Sequence, residues 1–175
     1  MKLTDILPLD QWLELEKQIH DIFGLNAAVY NVDGFRITDY QNWANRLCPV
    51  VKGNEKGQSS ICAVANQHIM AQAKDTKKPA IDECDTGLIK IAIPIFIGDE
   101  FLGIAGGCGL LPDDGEIESF LISKITGIDE QEIQSLSGDI DTVNADNTEE
   151  IVGFIKKRID EMIEEIENLK DSLPD

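Results

Sequence analysis

Basic side chains are scarce in this sequence. Lys and Arg number 15 against 33 Asp and Glu, for a formal net charge of −18 at pH 7. So negative a surface repels phosphate backbones and anionic lipid, which excludes nucleic acid and membrane surfaces as partners of this chain. Histidine is scarcer still: His20 and His68 are the two, on helices, and are read as a solvated and a half-buried side chain. No stretch approaches 18 uninterrupted apolar residues, and the N-terminus has no basic segment leading into an apolar one. Neither a membrane-spanning helix nor a secretion signal is therefore expected, and the expected compartment is the cytoplasm. Also missing are a phosphate-binding GxxxxGK[ST] loop, a GxGxxG turn opening a helix, a GxSxG elbow and an HExxH helix. With no acid, base and nucleophile set apart by spacing, the chain is not expected to be an enzyme.

What is present describes one ordinary globular domain. Its 175 residues, 42% hydrophobic and 27% charged, can bury a core without disulfides or metal staples. The charge is uneven: residues 1–112 hold 10 basic and 14 acidic groups, whereas residues 113–175 hold 5 and 19. Helical spacing joins Trp12, Leu15 and Ile19, then Ile61, Ala65, Ile69 and Ala73, with Ser59 or Ser60 as the expected cap of the second helix. A shorter helix is expected over Asn42–Val51. Ala27–Val32, turning at Asp33-Gly34 into Phe35–Tyr40, reads as one hairpin. Leu88–Ile97, turning at Gly98-Asp99-Glu100 into Phe101–Cys108, reads as another, with Ala80–Cys84 a short strand before it. Pro94 calls for an edge position or a bulge. The order is that of an α+β fold, an antiparallel sheet of about five strands flanked by helices.

After Pro112 the pattern changes. Ile117–Ile125 and Asp129–Leu136 read as helices, the second capped by Asp129. Residues 137–147 are polar and acidic and read as a linker; the calcium-loop pattern fails because Val143 and Asn144 stand where Asp/Asn and Gly are needed. Residues 148–175, capped by Thr148, form a long helix. There Val152, Ile155, Ile159, Met162, Ile166, Leu169 and Leu173 recur at alternating steps of three and four, a narrow coiled-coil-like seam expected to join two copies. The alternative is packing on the domain's own core, for which a wider apolar face is usual.

The chemistry-bearing residues are the cysteines. Cys48, Cys62, Cys84 and Cys108 are separated by 14, 22 and 24 residues, without a CxxC knuckle. Buried free thiols are the plain reading. Each, however, falls on a different element, and in a small domain the four can converge on one cavity. Four thiolates there would suit tetrahedral zinc or an iron–sulfur cluster, whose ions prefer sulfur.

Several of these residues carry a resemblance. Cys48-Pro49, Ser60-Ile61-Cys62, Glu83-Cys84-Asp85-Thr86-Gly87-Leu88 and Pro94-Ile95-Phe96-Ile97-Gly98-Asp99-Glu100-Phe101-Leu102-Gly103 resemble the PocR-type sensory domain over roughly residues 5–136. The resemblance implies a PAS-like ligand-binding domain over residues 1–136. It also implies a small hydrocarbon-derived ligand and an output partner such as a histidine kinase or transcription regulator. Cys48, Cys62 and Cys84 match family positions. Asp85 stands where members often have His, and Gly106-Gly107-Cys108-Gly109 where many end in Gly-Gln. Cys108 turns the reading toward a metal or cluster on all four cysteines. The alternative is a hydrocarbon-derivative pocket lined by Tyr30, Trp43, Cys62, Ile69, Cys84, Cys108 and the Ile91–Ile104 hairpin, with its thiols free.

Overall fold

The computed structural model describes residues 1–171. A short helix α1 (Leu3–Ile6) and the longer α2 (Leu9–Phe23) lead into strand β1 (Asn26–Asn31). Helices α3 (Leu47–Gly53) and α4 (Glu55–Gly57) follow, and then a π-helical segment, Gln58–Cys62, runs directly into α5 (Ala63–Thr76). Strands β2 (Ala80–Glu83), β3 (Ile89–Ile97), β4 (Glu100–Cys108) and β5 (Leu111–Pro112) precede helices α6 (Ser119–Thr126) and α7 (Glu130–Leu136). Strand β6 (Thr142–Val143) and helix α8 (Ala145–Asp171) complete the chain.

The fold is α+β. Four strands form one antiparallel sheet in the order β1-β4-β3-β2, and β5 and β6 make a separate two-residue parallel pair. Strand alternation sorts side chains onto two faces. Ala27, Val29, Ile89, Ile91, Ile93, Ile95 and Ala105 turn to one side and pack with α1, α2 and α8. Tyr30, Ala92, Ile104 and Ala80 turn to the other and meet Ile69 and Ala73 of α5. A third cluster, Leu47, Val51, Ile61, Ile122 and Ile133, joins α3, the π segment, α6 and α7.

Four local expectations are corrected. The strand expected over Phe35–Tyr40 reduces to a single bridge, Arg36 to Tyr30. Side chains occupy the edge of β1 instead: Asn42 Nδ2 donates to Ala27 O (3.1 Å), and the Val29 N–H donates to Glu16 Oε1 (2.8 Å). The helix expected from Asn42 begins at Leu47, which keeps Pro49 in the first turn, where its missing N–H costs nothing. Neither Ser59 nor Ser60 caps a helix. Asn54 does so, accepting from the Gly57 N–H at 3.0 Å, and the chain stays helical from there to Thr76. Thr148 lies inside α8, its hydroxyl donating to Asn144 O, while the Asn144 side chain accepts from the Asn147 N–H (2.8 Å).

The second hairpin, the Asp129 cap and the irregularity at Pro94 stand as expected. Gly98-Asp99 joins β3 to β4, and Asp129 caps α7 by accepting from the Gln131 and Glu132 N–H groups. Pro94 lies two residues beyond Ala92, where β2 pairing ends, and the register shifts just after it, between Ile95 and Phe96. The seam expected to join two copies instead packs within the chain, as the alternative had it: Ile155, Ile159 and Met162 are buried in the domain's own core, as is Ile151, while Val152 and Ile166 are half-buried against it. Leu173 and the side chain of Leu169 lie outside the described residues. Residues 137–147, read as a linker, include β6 and the start of α8. No helix among the described residues is long and apolar enough to cross a membrane.

Candidate functional site

A cavity of about 60 Å³ lies where the α5-facing side of the sheet meets α3, the π segment and the loop after β2. Its floor is one cross-strand row: Asn26 on β1 pairs with Cys108 on β4, which pairs with Lys90 on β3. Residues paired across antiparallel strands point the same way, so all three side chains reach the cavity. Tyr30 extends the floor along β1. The roof brings Cys48 and Lys52 from α3, Cys62 from the end of the π segment, and Cys84 with Thr86 from the loop. Trp43, Val51, Ile61 and Leu88 supply apolar wall.

The four cysteines thus line a single cavity, each carried by a different part of the chain. Local structure aims them. Asn45 accepts from the Cys48 N–H (2.8 Å) and donates to both Cys48 Sγ (3.3 Å) and Gly109 O (2.8 Å), which pins the start of α3 to the end of β4. Gly109 has φ +104°, and an added Cβ would fall 2.7 Å from that of Ala44, so only glycine lets this roof close. The π segment carries one more residue per turn than an α-helix and so rotates Cys62 relative to α5. Cys84 shares a 2.8 Å hydrogen bond with the Thr86 hydroxyl inside a turn closed by Gly87 N–H to Cys84 O (2.9 Å). Asn26 Nδ2 donates weakly to Cys108 Sγ at 3.9 Å.

The electrostatics are those of a dry, cationic pocket. Burial pushes the Cys48 thiol well above its ordinary value, with Cys108 adding to the effect and the Asn45 hydrogen bond opposing it. Burial, then Cys108 and Cys84, push Cys62 up to about 11, against Lys52 and Lys90. Both thiols are therefore protonated at pH 7 in the empty cavity. Burial also raises Tyr30. Burial alone would lower Lys90, but Cys108, Tyr30, Cys84 and Cys62 around it together raise it, so it keeps its charge. Its Nζ lies 5.7 Å from the Tyr30 ring centre, and Lys52 Nζ lies 5.8 Å from that of Trp43. Among the described residues, no carboxylate lines the cavity, and no three His, Cys, Asp or Glu side chains are gathered closely enough to hold one metal ion.

Of the residues expected to bind a small ligand, Tyr30, Trp43, Cys62, Cys84 and Cys108 are brought together here. Ile69 is not. It is fully buried one turn beyond Ala65, packed on Ala73, Ala80, Ala92 and Ile104. His68 is on the surface, its ring 3.4 Å from the Asp82 carboxylate, rather than half-buried; His20 Nδ1 donates to Leu25 O, 2.8 Å away. Sequence reasoning missed Asn26, Asn45, Lys52, Thr86 and Lys90. Only Lys90 carried a signal: it is the single charge within the apolar run Leu88–Ile97.

No curated protein and no solved structure matches the chain. The model of the family described as the sensory domain found in PocR does, and over residues 5–167 it takes in the cavity and most of α8 as well as the sheet. The chain belongs to that family of sensory domains.

Proposed function

We propose that the cavity is the input site of this sensory domain and that it holds an iron–sulfur cluster on Cys48, Cys62, Cys84 and Cys108. The observation that carries the reading is the arrival of four thiols, dispersed over 60 residues of sequence, at one cavity of about 60 Å³. That volume is far below the several hundred Å³ of sites for drug-sized ligands, so nucleotides, flavins and haem do not fit. Amide and hydroxyl groups beside Cys48, Cys84 and Cys108 supply the hydrogen bonds to sulfur that cluster sites use, and two lysines offset thiolate charge. No three of the thiols are gathered closely enough among the described residues to hold one ion, which disfavours single-ion zinc. Each thiol releases its proton to solvent when it binds.

The signal is a change in which arrangement of roof and sheet is favoured as the occupant is gained, lost or altered. Helix α8, packed on the opposite sheet face, carries it toward an output partner such as a histidine kinase or transcription regulator. One observation favours a second reading: the walls Val51, Ile61 and Leu88 would also receive a small hydrocarbon derivative among free thiols.

Anaerobic purification, followed by iron and acid-labile sulfide analysis and visible spectroscopy, tests the choice. The cluster reading expects iron and sulfide in equal amounts and a visible band lost in Cys108→Ser. A colourless, metal-free protein with four alkylatable thiols sinks it. A melting temperature raised by short-chain diols in that colourless protein establishes the second reading.

A further inference from the structure

We propose that Lys90 is the built-in counter-ion of the cavity's occupant, so that the site accepts a group of net negative charge. The inference rests on the cavity being the input site.

Lys90 stands in the middle of the sheet, on a strand whose neighbouring residues Ile89 and Ile91 are core. It is 8% exposed and lines the cavity. Among the described residues it forms no ion pair and no hydrogen bond; its Nζ lies 5.7 Å from the Tyr30 ring centre, and Cys108, Cys84 and Cys62 are its other electrostatic neighbours. Acidic side chains outnumber basic ones by 33 to 15, yet two lysines and no carboxylate face this space.

A buried ammonium without an anion is one of the costlier things a fold can contain, and a methionine would fill the same volume without that cost. The wall therefore holds a positive charge whose partner is not part of the wall. Four thiolates around an iron–sulfur core give an occupant of net negative charge, and the cross-strand pairing sets Lys90 beside Cys108, one of the four. Cluster potentials respond to net charge and burial, so a fixed cation at this distance favours the reduced form.

Lys90→Met, with Lys90→Gln as a second variant, tests this in the full chain. In thiol-only protein either substitution is expected to raise the melting temperature, because a lone buried charge is removed. In cluster-loaded protein the midpoint potential is expected to move negative by at least a tenfold change in the oxidised-to-reduced ratio, about 59 mV for one electron. A lower melting temperature for both thiol-only variants overturns the proposal, since the ammonium would then already be satisfied. So does an unchanged potential at full iron content. A wild-type protein that takes up no cluster fails the reading beneath instead. The proposal is then decided by short-chain carboxylates, which must raise the melting temperature of the wild type but not of Lys90→Gln, and a wild type that does not respond overturns it.

Discussion

Ile155→Ala measures whether the seam of α8 belongs to this chain's own core. Ile155 is fully buried, in a cluster with Trp12, Ile159 and the sheet's isoleucines, and Phe154 beside it meets Phe23 edge-on at 5.3 Å. Truncation removes three carbons at about 0.8 kcal/mol each, and incompletely refilled space adds to that, for a loss of about 3 kcal/mol. In a chain of this size about 3 kcal/mol corresponds to a drop of roughly 6–12 °C in melting temperature. Thermal unfolding followed by far-ultraviolet circular dichroism at widely separated protein concentrations reads both quantities. The drop is expected to be independent of concentration, because the contact is within one chain. Lys156→Ala, on the exposed side of the same turn, is expected to stay within about 0.5 kcal/mol. A loss below about 1 kcal/mol, or one that grows on dilution, would refute the reasoning and return the seam to a contact between two copies.

Further outcomes follow from other sites. Glu16 is buried against the Val29 N–H, the Thr38 hydroxyl and Arg36, and burial, outweighing those contacts, raises its pKa above 4.5. A raised carboxyl pKa means that its penalty is absent below about 4.5 and grows as pH rises through the window above it. Urea titrations across that range are expected to show wild-type stability falling relative to Glu16→Gln as pH rises; parallel curves would contradict this. Gly106→Ala puts a Cβ 1.9 Å from Ile91 O between paired strands and is expected to leave the chain insoluble, seen in expression and gel filtration. Gly153→Ala, where an added Cβ meets nothing within 4 Å on the exposed side of α8, is expected to gain about 0.5–1 kcal/mol in the same denaturation assay.

Elements governed by near neighbours in sequence were the legible ones. The Gly98-Asp99 hairpin and the Asp129 cap depend on residues a few positions apart, and both appear where spacing put them. Elements decided at long range were not. The segment after Gly34 has the alternation of a strand, but Asn42 and Glu16 reach back from elsewhere to take the hydrogen bonds a strand would have taken. The narrow stripe of α8 has the period of a two-stranded coil. A stripe this narrow also suits a helix lying along a flat sheet face beside α2, and period alone does not separate the two cases. Within the cavity, spacing put the cysteines on separate elements but said nothing of which way each pointed. Lys90 could be seen as an odd charge in an apolar strand, yet its meaning came only once Cys108 and Asn26 stood beside it.

The row Asn26–Cys108–Lys90 has a consequence beyond its own chemistry. Along β1, β3 and β4, the face that carries Asn26, Tyr30, Lys90 and Cys108 alternates with the face that packs on α2 and α8. On the proposed reading of the cavity as input and α8 as output, the two would be written in the same strands on interleaved positions, like two messages sharing one tape. A substitution at 26, 90 or 108 changes what is received without changing a residue that packs the exit helix, and one at 27, 89, 91 or 105 does the reverse. On that reading such a sheet could be re-specified for new ligands while its packing against α8 is left intact. Inserting a single residue in any of the three strands exchanges the two messages and loses both.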